Sequence, residues 1–163
     1  MVLSNAQWFT EAGAGTTVVF NEVLTGSGSA STHTFTSVAF GTAAADRRIL
    51  ISISSNSGTA TFTGTIGGVA FFTVASLEVS GGQAVALMMA NVPTGTTGTV
   101  YISHGTGSVV VGVWSLYDAA PGVYDSVTDD ATSTSTATAD LDVPENGLAF
   151  GAVSSGSGAN VTW

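Results

Sequence analysis

The residues able to do chemistry are few, and most of them are carboxylates. Asp125, Asp129, Asp130, Asp140, Asp142 and Glu145 gather late in the 163-residue chain. On one strand Asp140 and Asp142 face the same way, roughly 7 Å apart. Joined by Asp129 or Asp130, they offer hard oxygen ligands of the kind calcium takes. The chain has no Asp-x-Asp-x-Asp-Gly loop, however, and a polar strand face looks the same with no metal on it. The two carboxyls also meet the rough spacing of a glycosidase pair. Flanked by Thr and Ala, they have no apolar pocket to raise one pKa. The residues therefore predict no catalytic centre, no resident metal and no cofactor.

The remaining chemistry-bearing residues are sparser still. His33 and His104 each stand alone, without a second histidine or a carboxylate at ligand spacing, and both read as satisfied surface histidines. The chain has no cysteine and no lysine, so zinc ribbons, thioredoxin-like sites and cysteine nucleophiles are excluded. No Gly-x-Ser-x-Gly elbow sits between a strand and a helix. The glycine clusters lack the Walker lysine and a following helix, which makes them turns. Asn160-Val161-Thr162 matches a glycosylation sequon but carries no weight without a secretory signal.

Eleven acidic residues against Arg47 and Arg48 give a net charge of -9. A chain so short of cations cannot neutralise phosphates, so nucleic-acid partners and polybasic membrane attachment are disfavoured. No apolar run approaches the roughly 20 residues of a spanning helix, and MVLSNAQWFTEAG lacks the basic and apolar regions of a secretory signal. Each arginine is expected to find a carboxylate, Asp46 or one on a facing strand or neighbouring subunit. The alternative is a strand-start charge that blocks edge-to-edge pairing.

The elements that carry these residues are strands. Ile49, Ile51 and Ile53 share one face of 47–54 while Leu50, Ser52 and Ser54 share the other, and 136–143 alternates in the same way until Pro144. Further strands are expected at 34–40, 61–66, 69–79, 84–90, 99–103, 109–117 and 148–153. Between them lie turns marked by Gly26-Ser27-Gly28-Ser29, Gly67-Gly68, Gly81-Gly82 and Gly105-Thr106-Gly107. Ala84 to Ala90 contains good helix formers, but Gly81-Gly82 and Pro93 leave it only the length of a strand. Eight or nine short strands at this spacing predict an all-β, antiparallel, jelly-roll-like sandwich.

Residues 1–31 differ from the rest and read as an N-terminal docking segment ahead of a sandwich domain at 32–163. Ser4 or Asn5 can cap a short helical turn through Gln7 and Trp8, with a strand at 18–24. Trp8 and Phe9 are large apolar side chains in a small, polar stretch. They either cover one end of the domain's own core or anchor the chain in a neighbouring subunit. Ser126 to Thr136 reads as an exposed loop. The chain stops on Asn160-Val161-Thr162-Trp163 with no closing turn, so either the last strand pairs to its final residue or further strands are missing.

Several segments carry a family resemblance. Val38-Ala39-Phe40-Gly41-Thr42-Ala43-Ala44-Ala45-Asp46-Arg47-Arg48 with its isoleucine strand resembles a recurrent stretch of tailed-phage virion proteins. So do Ile66-Gly67-Gly68-Val69-Ala70, Asn91-Val92-Pro93-Thr94-Gly95-Thr96-Thr97-Gly98-Thr99-Val100, Val113-Trp114-Ser115-Leu116-Tyr117 and Asp142-Val143-Pro144-Glu145-Asn146-Gly147-Leu148. The opening Leu3 to Phe9 is similar to the starts of some marine-phage structural proteins. Apart from that opening, the resemblance covers about residues 34–163 and is to β-rich fibre, spike and decoration proteins. The resemblance implies a virion-surface subunit, homo-oligomeric with a trimer favoured, that attaches to other virion proteins and reaches a host-surface glycan. Trp8 and Phe9 are the expected anchors, with Tyr124, Asp140 and Asp142 on the outward face. The alternative is a carbohydrate-binding or calcium-dependent adhesion module, with Trp114 or Tyr117 as its exposed aromatic.

Overall fold

The computed structural model describes residues 2–9, 12–79, 82–119, 125–128, 140–142 and 148–154. Among these residues the fold is all-β: β1 (Val2–Phe9), β2 (Ala12–Ala39), β3 (Arg48–Ser55), β4 (Thr63–Ile66), β5 (Val69–Ala70), β6 (Phe72–Val79), β7 (Gln83–Asn91), β8 (Thr97–Ala119), β9 (Ser126–Val127) and β10 (Leu148–Ser154). Every pairing is antiparallel.

The two long strands organise the main sheet. β8 pairs with β2 along one edge from Ala12↔Ala119 to Ala39↔Thr97. On its other edge its first half takes β4 and its second half takes β3, which leads on to β7 and β6. The β2–β8 ribbon therefore serves both branches and bends back on itself. The Phe40 N–H donates to the Thr96 carbonyl at 2.8 Å, and the Glu22 carboxylate accepts the Ala39 N–H. The result is an antiparallel sheet nearly closed into a barrel.

The wrap occurs where turns were expected. Gly26-Ser27-Gly28-Ser29 and Gly105-Thr106-Gly107 do not end strands; they lie opposite one another inside the ribbon, with Gly26↔Val109 and Ala30↔Gly107 in register and an irregularity between. Glycine serves close approach here rather than chain reversal. A Cβ on Gly26 would fall 2.2 Å from Nδ1 of His33, and one on Gly107 2.4 Å from Oδ1 of Asn56. The expected strands 99–103 and 109–117 are consequently one. By contrast Gly67-Gly68 is the expected two-residue hairpin, with φ of 59° and 82° closing Ile66↔Val69. The expected strand 69–79 breaks at Phe71, whose N–H turns to the Gly64 carbonyl.

The strand alternation has the predicted consequence. Ile49, Ile51 and Ile53 point inward with Ala84, Ala86, Met88, Val100, Ile102, Val109, Val111 and Val113, all essentially buried. Leu50 points outward and is also buried, because a second sheet of order β10-β1-β9 lies over it with Leu87, Met89, Leu116 and Ala152. β7 is thus covered on both faces, which is why 84–90 is continuously apolar rather than alternating.

Residues 1–31 are built into both sheets where described. β1 is the middle strand of the small sheet, and β2 runs unbroken through position 31. The helical turn expected after Ser4 is a strand, since a single helical turn fixes many dihedrals for little bonding whereas β1 gains pairing from β9 and β10. Of the strand expected at 136–143, the described residues Asp140–Asp142 are not in a strand.

Candidate functional site: an aromatic groove beside the small sheet

Among the described residues the small sheet does not cover all of the outer face. Past the edge of β10 the outward side chains of β2, β8 and β3 remain open, forming an apolar groove of about 680 Å³. Trp114 occupies its centre. The indole lies back over Gly112, where a Cβ would stand 2.4 Å from Cη2. Phe20, its partner in register across the ribbon, is 5.7 Å away between ring centroids, and Phe150 from β10 closes edge-on at 6.2 Å. Such tilted pairs contribute about 0.5–1.5 kcal/mol each beyond burial. Phe20 is 54% exposed, Val23 59% and Val110 48%, with Ser52 and Ser54 supplying hydroxyls. The groove lining contains no charged residue.

Segments 38–48, 91–98 and 113–117 meet elsewhere, in a structural clasp. Arg47 is fully buried. Its Nε donates to the Val92 carbonyl at 2.8 Å, Nη1 to Phe40 and Gly41 at 3.0 and 3.1 Å, and Nη2 to Thr94 and Gly95 at 2.8 and 2.7 Å. These five bonds match the five N–H groups of a guanidinium. The carboxylate expected for Arg47 is therefore replaced by main-chain carbonyls, which tie segment 40–41 to 92–95. The Phe40 ring lies over Gly98, whose added Cβ would meet it at 2.3 Å, and Ser115 Oγ donates to the Phe40 carbonyl at 2.7 Å. Asp46 accepts the N–H of Asp118, and that bond, aided by Arg48, holds its carboxyl below the ordinary range. Arg48 is half-buried, and desolvation lowers its pKa against the opposing pull of Asp46.

A second cluster lies at the bend of the ribbon. His33 and His104 are not surface residues; each is 8% exposed, and their rings stack at 5.1 Å and 17°. Phe35 extends the stack at 6.3 Å beyond His33 and Phe62 at 6.0 Å beyond His104. His33 Nε2 donates to the Gly107 carbonyl at 3.0 Å, and His104 Nδ1 lies 3.3 Å from Ser55 Oγ. His104 Nε2 is buried with no hydrogen-bond partner. Burial first, and the neighbouring His33 second, push the His104 pKa below 6.5. Sequence reasoning missed this pair because the residues are 71 positions apart and only the wrapped ribbon brings them together.

Of the expected site residues, the structure describes the side chains of Asp140 and Asp142. Trp8 and Phe9 pair through the backbone with Ala149 and Leu148, while their side chains and Tyr124 lie outside what is described. Asp140 and Asp142 are exposed, and the Asp142 N–H donates to Asp125 Oδ2 at 3.2 Å. With no strand beneath them, Asp140 and Asp142 lose the shared strand face that a calcium or glycosidase reading required. Among the described residues no three His, Asp or Glu side chains are grouped to hold a metal ion. Tyr117 is half-buried, its hydroxyl donating to the Thr42 carbonyl at 2.9 Å. No family model, curated protein or solved structure matches the chain.

Proposed function

We propose that the chain is a structural subunit of a tailed-phage-like particle, of fibre, spike or decoration type. It acts by presenting and docking surfaces rather than by chemistry, at the particle surface and toward a host glycan. The observation that carries this reading is the uncharged apolar strip of Phe20, Val23 and Val110 left open beside β10. Its occupant is a neighbouring copy of the same chain. On a chain of net charge -9, this is a face where two copies can meet without opposing their carboxylates. The wrapped ribbon also supports the finer jelly-roll-like description of the fold.

The size of the strip sets the strength of the contact. Full burial of such a side chain contributes roughly 1.5–3 kcal/mol, so these three half-exposed residues offer about 3 kcal/mol. Association costs about 4 kcal/mol or more in lost freedom. One strip does not meet that cost, but a strip from each of two copies, about 6 kcal/mol together, gives weak self-association; a closed homo-oligomer, a trimer in this reading, needs further contacts such as anchoring through Trp8 and Phe9. Sedimentation velocity across a wide concentration range tests this. The wild-type chain should associate reversibly, and the double substitution Phe20→Ser with Val23→Ser should shift association to higher concentration. A chain that stays monomeric up to its solubility limit defeats the proposal. Deleting residues 1–15 is a poorer test of anchoring, because it removes the middle strand of the small sheet.

The Phe20–Trp114–Phe150 cluster supports a second reading, a carbohydrate-binding adhesion module. Its test is Trp114 fluorescence during titration with oligosaccharides. Saturable quenching supports it, and an unchanged spectrum at millimolar sugar removes it. Calcium dependence is decided by melting with calcium and with chelator, because a ligand bound only by the native state raises the midpoint.

A further inference from the structure

We infer that the His33–His104 stack is an acid-sensitive latch at the bend of the β2–β8 ribbon, and that proton uptake by His104 frees the loop 56–62 before the rest of the core opens. This inference is independent of the function proposed above. The latch joins three elements. His33 comes from β2, His104 from β8, and the loop after β3 closes over them with Phe62. The same loop is held by Ser55 Oγ, which accepts the Ser57 N–H at 3.1 Å, and by Thr59 Oγ1, which accepts the Gly105 N–H at 3.1 Å. Gly105 and Gly107 leave no room for a side chain against Thr59 and Asn56, so the loop and the bend fit together tightly or separate.

The groups facing His104 make a proton unwelcome. From β2, His104 meets only the His33 ring, with Phe35 behind it. From β3 it meets the Ser55 hydroxyl, and from the loop the Phe62 ring. The carboxylate that reaches the loop, Glu78, accepts the Ala60 N–H at 3.4 Å rather than an imidazole N–H. A neutral His104 needs one satisfied nitrogen and leaves Nε2 as a single orphan. A charged one carries an N–H on both nitrogens, one of them buried without an acceptor. The folded state therefore takes up fewer protons than the unfolded chain. The stabilisation is complete above the ordinary histidine value of 6.5 and is lost as pH falls below it toward the depressed folded-state value.

Two measurements on the full chain test this. The first follows the histidine ring protons by NMR through pH 8 to 4.5 and needs no variant. His104 should titrate below 6.5; a value at or above 6.5 overturns the latch. The second is amide hydrogen exchange at pH 7.5 and 5.5, corrected for intrinsic rates. Each proton taken up on opening raises the opening constant by up to about tenfold per pH unit. Amides of 56–62 and 104–107 should lose protection while those of β3 and β7 keep theirs. The substitutions His33→Phe and His104→Phe together, which extend the aromatic stack, should abolish the change. His104→Gln alone provides a second variant that keeps a polar group beside Ser55 and should weaken it. Equal loss of protection in wild type and in either variant overturns the proposal.

Discussion

Replacing Arg47 by Met tests the clasp most directly, because the apolar stem remains and five donors disappear. Two of the carbonyls it serves are buried, those of Val92 and Phe40. The Phe40 carbonyl keeps its bond from Ser115 Oγ, while that of Val92 loses its guanidinium donor. An orphaned buried carbonyl costs about 1–3 kcal/mol. The carbonyls of Gly41, Thr94 and Gly95 are part-buried and can take water in exchange. Their loss adds about 1 kcal/mol of unlatched loop, and relief from burying a charge offsets part of the total. The expected net cost is about 3 kcal/mol, a large share of the roughly 5–15 kcal/mol of an ordinary domain. With a urea dependence near 2 kcal/mol per molar, the midpoint should fall by about 1.5 M. Urea unfolding followed by tryptophan fluorescence and far-ultraviolet circular dichroism measures it. Arg47→Lys should resemble the Met variant, since one ammonium cannot span carbonyls on both segments. Arg48→Met should cost about 1 kcal/mol or less. An Arg47→Met chain within about 0.5 kcal/mol of wild type would falsify the claim that this guanidinium holds the two segments together.

Other outcomes follow from the same geometry. Ser115→Ala removes the donor to Phe40 and the acceptor of the Asn21 Nδ2 bond at 2.7 Å, and should lower the unfolding free energy by about 1–2 kcal/mol in the same urea assay. Gly98→Ala drives a methyl into the Phe40 ring and should cost about 1–3 kcal/mol, a loss that Phe40→Leu in the same chain partly relieves. Asp46 is held below the usual carboxylate range, so its contribution is present at neutral pH and lost as the medium is acidified through its folded-state value. Asp46→Asn should accordingly flatten the acid limb of a stability-against-pH curve, and an unchanged limb refutes the link to Asp118.

The sequence revealed this fold wherever one residue's period decided the matter. The isoleucines of β3 alternate because one face enters the barrel, and Gly67-Gly68 closes a hairpin because both positions need positive φ. What stayed hidden was decided by distant chain. Glycine marks both reversal and close approach, and nothing near Gly26 or Gly107 says that His33 and Asn56 will press on them. The two histidines look isolated until the ribbon wraps. The groove left one local trace: Gly112 stands two residues before Trp114 on the same strand face, giving a large ring room to lie down. Phe20 and Phe150 carried no such sign, since register and sheet placement chose them. Arg47 misled because charge suggests charge as a partner, whereas its five donors fit a ring of carbonyls.

Because one strand pairs along almost its whole length with another far downstream, the order of synthesis matters. Ala39 must wait for Thr97, and Ala12 for Ala119, before either is satisfied. Until then β2 emerges as a long unpaired template with Val18, Phe20 and Leu24 among its side chains, the kind of segment that seeks the wrong chain. Such distant pairing makes folding slow. A ribosome working at about 5–20 residues per second leaves this template unmatched for several seconds, so yield in a cell should depend on holdase capacity more than on final stability.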